Sequence, residues 1–216
     1  DTTRNILESY GSKIILEIVE HRGVSAARNR GASLASGTYI QYLDSDDLLR
    51  ADSIEKKIKS LSESCADVAY CDWQYLNENE KGFFEPGTVS LRQIEDVDSD
   101  AETAIFTDFW APPAALLFRR DFSQKLRWNE SLPVIQDARF LFDAAFFGGK
   151  FIHCGNIGAD YRVSRKQSLS RTDPKAFNED VFQNACQIKK LWESRGELSH
   201  KHRQALIHVI GQVARA

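Results

Sequence analysis

The stretch HRGVSAARNRGASLASGTYIQYLDSDDLL, residues 21–49, decides the fold predicted for this chain. Its first half, residues 23–36, carries small and apolar residues at helical spacing, and Gly37 follows where a helix normally ends. Its second half begins with TYIQYL at 38–43, which is predicted to be a strand and leads into a cluster of acids starting at Asp44. A helix, a strand and then polar side chains at the carboxyl end of the strand are typical of α/β sheets that bind ligands there.

Outward from this stretch, the hydrophobic pattern predicts alternating strands and helices. The other predicted strands are 13–19, 67–73, 114–118 and 150–154. The other predicted helices lie near 1–10, 52–61 and 121–127, from 137 onward, and from 175 to the end. Residues 77–103 are predicted to be rich in loops. This order predicts an α/β fold with a mostly parallel sheet flanked by helices and a C-terminal helical extension.

Composition narrows the class of protein. The chain has 216 residues, 42% of them hydrophobic and 27% charged, which is ordinary for a globular domain with a proper core. Its formal charge of −3 leaves no basic field for a phosphate backbone, so nucleic acid is not an expected partner. The four cysteines show neither a metal-binding spacing nor a disulfide pattern, and no apolar run is long enough to cross a bilayer. We therefore expect a cytoplasmic protein.

The acids of residues 44–47 need a reason to lie together, since like charges repel. If the chain stays extended here, the side chains of Asp44 and Asp46 point to the same side and converge on one point. A hard cation, Mg²⁺ or Mn²⁺, would relieve their repulsion and leave open positions for phosphate oxygens. The alternative is a solvated acidic turn in which Asp47 caps the next helix.

The whole stretch 21–49 resembles the nucleotide-sugar-binding signature of glycosyltransferase family 2, inverting enzymes of the GT-A fold. The residues that fall in register with that signature are Gly23, Ala27, Arg28, Asn29, Gly31, Gly37, Asp44, Asp46 and Asp47. The resemblance implies a GT-A type (Rossmann-like) fold and metal-dependent transfer of a sugar from a nucleotide donor. It implies Mn²⁺ or Mg²⁺ as cofactor, a UDP-sugar as the first choice of donor, and a glycan or lipid-linked acceptor.

The same resemblance assigns roles within this stretch. It implies that Asp46 is the principal metal ligand and that Asp44 contacts the ribose or the water shell of the metal. Ser45, between them, belongs to the predicted donor site, and Arg28 would reach the nucleotide or its phosphates. The alternative for Arg28 is an ordinary surface arginine on an amphipathic helix.

A second segment, WNESLPVIQDARFLFDAAF at 128–146, resembles the part of the family that carries the general base. The family has a Glu-Asp pair at the start of a helix, and here the pair is Gln136-Asp137. We therefore predict Asp137 as the base that takes the proton of the attacking hydroxyl. Its alternative role is a helix N-cap, and Gln136 is a departure from the family pattern.

A third segment, DYRVSRKQSLS at 160–170, resembles a family segment that closes over the diphosphate in some members. Arg162 and Arg165 are the predicted phosphate partners, whereas the histidine expected by the family pattern is Ser164 here. Trp110 lies in the region expected on the acceptor side, where an aromatic ring could stack on a sugar or simply pack in the core.

We expect residues 1–170 to form a glycosyltransferase domain that lacks its first strands, and 171–216 to form the helical extension. Without those strands, these residues alone should bind donor weakly. A lipid-linked acceptor would bring the protein to the inner face of the membrane. The alternatives are a sugar nucleotidyltransferase with a related sheet and a non-catalytic carbohydrate-binding relic.

Overall fold

A computed structural model of the chain describes residues 2–98, 100–164 and 173–215. These ranges contain eight α-helices and six strands. The helices are α1 (Thr3–Glu8), α2 (Val24–Leu34), α3 (Ser53–Ser62), α4 (Ala101–Thr107), α5 (Arg120–Ser123), α6 (Gln136–Phe146), α7 (Pro174–Glu193) and α8 (His200–Val213). The strands are β1 (Tyr39–Ile40), β2 (Leu48–Leu49), β3 (Val68–Glu78), β4 (Phe84–Ser90), β5 (Leu116–Arg119) and β6 (Phe151–Val163).

The six strands form one sheet in the order β1-β5-β3-β6-β2, with β4 paired to β3. Among the pairings described, β3 with β6 is parallel and the other four are antiparallel. The sheet is therefore mixed rather than mostly parallel. One physical reason is the short link between β3 and β4, because a hairpin connection forces antiparallel pairing.

The strand predicted at 13–19 does not form. Residues 14–23 have no regular secondary structure, and Ile15, Ile18 and Val19 are 73%, 61% and 58% exposed. β-Branched residues favour a strand, but a strand also needs a neighbour that takes its backbone hydrogen bonds. Within the described residues, no strand lies beside this segment. The strand propensity of its residues alone is therefore not enough to form a strand.

The prediction of loops over 77–103 is also wrong in part. β3 continues to Glu78, and the chain turns back into β4, where Leu76 lies opposite Pro86. Pro86 and Gly87 argue against a central strand, yet a strand at a sheet edge tolerates proline because its N–H need not be paired.

An aromatic cluster in the core joins the end of β1 to α6. The rings of Trp128 and Phe140 stack in parallel with their centroids 4.0 Å apart. Tyr42 meets both rings edge-on, at 5.0 Å from Trp128 and 5.6 Å from Phe140. These contacts fix the distance between the chain that follows β1 and the start of α6, the two places where the sequence predicts functional acids.

Truncating the middle of this cluster should destabilise the fold strongly. Phe140 is 1% exposed, and Phe140→Ala is expected to lower the free energy of unfolding by about 3–5 kcal/mol through lost burial and a cavity. Urea denaturation followed by fluorescence measures the change. Phe182→Ala is the matched control, because Phe182 is 48% exposed on α7 and should change stability by less than about 0.5 kcal/mol. Equal losses in both variants would contradict the packing described here.

The C-terminal helices α7 and α8 pack on α4 and α6 and share their core. Trp192 of α7 lies edge-on to Phe106 and Phe142, and its indole N–H donates to Glu102 at 2.8 Å. The ring of His202 on α8 stacks in parallel on the ring of Trp192. The predicted helical extension is therefore confirmed, while the division into 1–170 and 171–216 stays a prediction. None of the helices in the described part of the chain combines the length and the apolar character that a membrane span requires.

Candidate active site

The acidic cluster forms a turn rather than an extended segment. The Asp47 N–H donates to the Asp44 carbonyl at 3.1 Å, which closes a turn centred on Ser45 and Asp46. After the turn, β2 pairs with β6, with Leu48 opposite Asp160. The prediction that Asp44 and Asp46 converge assumed an extended strand, so its geometric reason does not apply to a turn. Both residues nevertheless line the same cavity.

Asp47 anchors this turn to the sheet. Its side chain is 5% exposed, and its Oδ1 accepts the backbone N–H of Arg162 at 3.0 Å. Burial raises the pKa of Asp47 to about 7, the Arg162 N–H opposes the rise, and the charges of Asp46 and Asp44 add to it. The alternative role as a helix cap is wrong, because α3 begins only at Ser53.

Arg28 on α2 faces the acidic turn. Its guanidinium contacts the Asp44 carboxylate and lies over the Trp128 ring, 4.3 Å from the centroid. The Arg28 side chain is only 10% exposed, whereas that of Asp44 is 31% exposed. The alternative of an ordinary surface arginine is therefore wrong, and Asp44 carries a cationic partner before any ligand binds.

The position of Arg28 depends on contacts that sequence reasoning missed. The side-chain amide of Asn29, the next residue, donates to the Trp128 carbonyl at 2.9 Å and accepts the Trp128 N–H at 2.8 Å. This pair of hydrogen bonds ties α2 to the segment that leads into α6. The motif made Asn29 conspicuous, but its partner lies 99 residues away, and nothing in the local pattern pointed to Trp128.

Asp137 is the second residue of α6. The N-cap of this helix is Ile135, so the alternative role of Asp137 as N-cap is wrong. One Asp137 oxygen accepts the indole N–H of Trp110 at 2.9 Å, and the other accepts the Ala138 N–H at 2.8 Å. Burial raises the pKa of Asp137, while these two donors and the charge of Arg28 lower it. A partly buried carboxylate with a raised pKa is better suited to accept a proton near neutral pH than a fully solvated one.

The indole N–H of Trp110 should therefore set the pH at which Asp137 loses its proton. Trp110→Phe removes a donor that stabilises the charged carboxylate, so the pKa of Asp137 should rise further. The base acts only in its deprotonated form. We therefore expect the acidic limb of the kcat profile, measured between about pH 5 and 8, to move to higher pH.

Trp73→Phe is the matched control for this prediction. Trp73 lies beside Trp110, with ring centroids 5.9 Å apart, but its own indole N–H has no partner within the described residues. Its variant should leave the limb in place. If the acidic limb of the kcat profile stays fixed in Trp110→Phe, or moves equally in both variants, the Trp110 N–H does not set the pKa of Asp137.

One cavity of about 1720 Å³ brings the predicted site together. Its lining includes six of the predicted site residues, namely Arg28, Asp44, Ser45, Asp46, Asp137 and Arg162. The acidic turn, α2 and the start of α6 each contribute one part of the wall. Arg28 lies close enough to lower the pKa of Asp137, and Asp44 close enough to raise it. Residues predicted from separate segments, some of them over 90 positions apart, thus line the same cavity.

Asp44 and Asp46 fit a cation that takes its remaining ligands from elsewhere. Asp46 is exposed on the turn, and no described residue donates a hydrogen bond to its side chain. One Asp44 oxygen meets Arg28, while its side chain stays partly exposed. Within the described residues, no group of three or more His, Cys, Asp or Glu side chains could hold a metal. Two carboxylates with open positions suit Mg²⁺ or Mn²⁺ bound together with phosphate oxygens.

The third predicted segment is described only to residue 164. Arg162 lies on β6, where its guanidinium is 5.1 Å from the Phe84 ring centroid and its Nε is buried with no partner among the described residues. The Ser164 hydroxyl donates to Glu78 at 2.8 Å. Arg165 lies outside the described residues.

The model of the family described as Glycosyl transferase family 2 matches residues 1–143, two thirds of the chain. The chain belongs to glycosyl transferase family 2. This match covers α2, the acidic turn and most of α6, and the resemblance drawn from residues 21–49 is thereby confirmed.

The curated relatives of this chain differ in sequence identity and in the length over which they match it. An amylovoran biosynthesis glycosyltransferase, AmsB of Erwinia amylovora, is 25% identical over 156 residues, 71% of this chain and 52% of that protein. Glycosyltransferase GlyA of Streptococcus pneumoniae is 40% identical over 65 residues, 30% of this chain and 9% of that protein. The chain thus spans about half of one relative and a small part of the other.

Solved structures confirm the fold. The S. aureus TarS crystal structure aligns with a TM-score of 0.67 and 16% identity, over 100% of this chain and 36% of that one. The mannosyltransferase PcManGT from Pyrobaculum calidifontis, in complex with GDP-Man and Mn²⁺, aligns with a TM-score of 0.63 and 14% identity, over 100% of this chain and 61% of that one. The predicted α/β fold of GT-A type is confirmed by this likeness.

Proposed function

We propose that the protein is a metal-assisted, inverting glycosyltransferase that moves a sugar from a nucleoside diphosphate to a hydroxyl acceptor. The observation that carries this proposal is the shared cavity, which is lined by the exposed Asp46 carboxylate, the Arg28 cation and the partly buried Asp137 carboxylate. A leaving diphosphate needs positive charge around it, and an attacking hydroxyl needs a base on the other side of the sugar. The cavity supplies groups for both tasks.

Residues of this chain would assist proton transfer and stabilise the charge of the leaving group. The acceptor oxygen forms a bond to the anomeric carbon while the bond from that carbon to the diphosphate oxygen breaks, and the electron pair leaves with the nucleoside diphosphate. Asp137 takes the hydroxyl proton, and attack from the face opposite the leaving group inverts the anomeric centre. Arg28 would offer positive charge to the nucleotide or its phosphates, and Arg162, which lines the same cavity, would add to it.

The divalent cation would be held by Asp46, with Asp44 contributing an oxygen or a contact to its water shell. When bound, it supplies charge that stabilises the departing diphosphate. Asp44 also faces Arg28, so its carboxylate would orient the Arg28 guanidinium toward the donor. This assignment makes Asp46 more important than Asp44 for metal affinity.

A UDP-sugar is the proposed donor, and a glycan or a lipid-linked saccharide is the proposed acceptor. TarS has been solved with UDP and with UDP-GlcNAc, and the mannosyltransferase with GDP-Man and Mn²⁺. The match to the amylovoran enzyme supports a role in polysaccharide biosynthesis. A lipid-linked acceptor would place the protein at the cytoplasmic face of a membrane.

Donor turnover tests the proposed function directly. The full-length protein is incubated with UDP-glucose, UDP-N-acetylglucosamine or GDP-mannose, and release of the nucleoside diphosphate is followed with Mn²⁺, with Mg²⁺ or with a chelator. We expect release from at least one UDP-sugar, a drop of at least about 10-fold on chelation, and recovery when Mn²⁺ is restored. If chelation leaves turnover unchanged, the proposed metal dependence is contradicted. If no donor is turned over, the proposed transferase activity is contradicted.

A further inference from the structure

A buried carboxylate of α7 caps the helix that carries the proposed base. Asp180 is 5% exposed, and its Oδ2 accepts the backbone N–H of Val134 at 2.7 Å and of Ile135 at 3.3 Å. Ile135 is the N-cap of α6, and its apolar side chain makes no capping hydrogen bond. Asp180 therefore supplies, from another helix, an acceptor for the N–H of the N-cap residue and for that of the residue before it.

The charge of Asp180 suits this place. The N-terminus of a helix carries a partial positive charge from its aligned peptide dipoles, and a nearby carboxylate is stabilising. Asp137 lies two residues beyond Ile135, in the first turn of the same helix. The two backbone N–H groups that Asp180 binds thus lie three and two residues before the proposed base.

Two further residues of α7, Asn184 and Gln187, accept hydrogen bonds from the segments before and after Asp137. Gln187 accepts from the side chains of Asn129, at 2.8 Å, and Arg139, at 2.6 Å, and Asn184 accepts from Arg139 at 3.3 Å. Residues 180, 184 and 187 follow helical spacing, so they form one polar stripe along α7. Residues on both sides of Asp137 are therefore hydrogen-bonded to a helix that lies outside the matched family region.

Packing alone does not explain a polar stripe at this place. Buried polar groups are costly unless each finds partners, and apolar residues of similar size are often at least as stabilising. What directed hydrogen bonds add is a defined position for the groups that they hold. The groups held here are the backbone N–H groups at the entrance of α6 and a side chain one turn into it.

We propose that Asp180 is a positioning residue for catalysis, which acts by fixing the start of α6 and with it the Asp137 carboxylate in the donor cavity. This inference rests on the proposed function of Asp137. It assigns the C-terminal helices a part in the reaction, since α7 completes the cavity and also sets the location of the base. A displacement of about 1 Å at a catalytic group is enough to cost about 100-fold in rate.

The test compares three versions of residue 180 in the full-length protein. Asp180→Ala removes the acceptor, and kcat for donor turnover should fall by about 10- to 100-fold while donor affinity, measured by calorimetry, changes by less than about 3-fold. Asp180→Asn keeps an oxygen that accepts from both N–H groups, and it should restore kcat to within about 5-fold of the original. An unchanged kcat in folded Asp180→Ala would overturn the proposal.

A double-mutant cycle separates positioning from general loosening. If Asp180 acts through Asp137, adding Asp180→Ala to Asp137→Asn should cause no further loss of the residual rate. Equal multiplicative losses in both backgrounds would overturn the proposal. If Asp180→Ala does not fold, as judged by its urea transition, Asp180→Ser takes its place, because its shorter side chain does not reach both N–H groups.

Trp192→Phe is the control for loss of stability. It removes the hydrogen bond from α7 to Glu102 without touching residues 134 and 135, so it should lower stability and leave kcat within about 2-fold. An equal loss of kcat at an equal loss of stability would overturn the positioning role. Failure of the proposed function itself looks different, because the unaltered protein would then turn over no donor.

Discussion

Replacing Asp137 with Asn should lower kcat for donor turnover by about 10²- to 10⁴-fold, the range that a positioned general base contributes. Asn keeps the size of the side chain and an oxygen for the Trp110 N–H, but it cannot take a proton from the attacking hydroxyl. The residue lines the cavity from α6, and in the proposed chemistry its side chain contacts the acceptor hydroxyl rather than the donor's phosphates. Donor affinity should therefore change little.

Initial rates of nucleoside diphosphate release and calorimetric donor titration measure the two effects separately. Asp121→Asn is the control, since Asp121 is 94% exposed on α5 and its side chain only approaches Arg120, at 4.0 Å. Its kcat should stay within about 2-fold. If Asp137→Asn turns over donor as fast as the unaltered protein, Asp137 is not the base.

The resemblance around residues 21–49 and at the pair 136–137 pointed to Arg28, Asp46 and Asp137, and these three residues line one cavity. Their roles in the reaction stay predictions. Their common location follows from the fold, in which the end of β1, α2 and the start of α6 meet around a single cavity.

What the sequence did not predict depends on contacts between distant segments. The segment 13–19 has the composition of a strand, but pairing is a property of two segments, and no described strand lies beside it. The turn at 44–47 could not be distinguished from an extended segment because Asp and Ser suit both the end of a strand and a turn. Trp128 and Asp180 look like an ordinary core residue and a helix-surface residue until their partners, 99 and 46 residues away, are seen.

Replacing Asp46 with Asn should abolish most of the metal-dependent turnover. The proposed cation has only two carboxylates from this chain, and Asp44 already shares one oxygen with Arg28, so Asp46 carries most of the free negative charge. Loss of Lewis-acid stabilisation costs several kcal/mol, which corresponds to a fall in kcat of more than about 100-fold at a fixed metal concentration. Folding should be intact, because Asp46 is exposed on the turn and anchors no other element.

A titration of turnover with Mn²⁺ distinguishes this role from a general effect of removing charge. In Asp46→Asn the half-saturating Mn²⁺ concentration should rise much more than in Asp44→Asn, where the main loss is the partner of Arg28 and donor affinity should fall as well. Asp121→Asn serves again as the control and should leave the Mn²⁺ curve in place. The reverse order, with Asp44→Asn shifting the Mn²⁺ curve and Asp46→Asn leaving it unchanged, would exchange the two roles. If neither variant shifts the curve, the metal does not bind at this turn, and the positive charge that the diphosphate requires must come from Arg28 and Arg162.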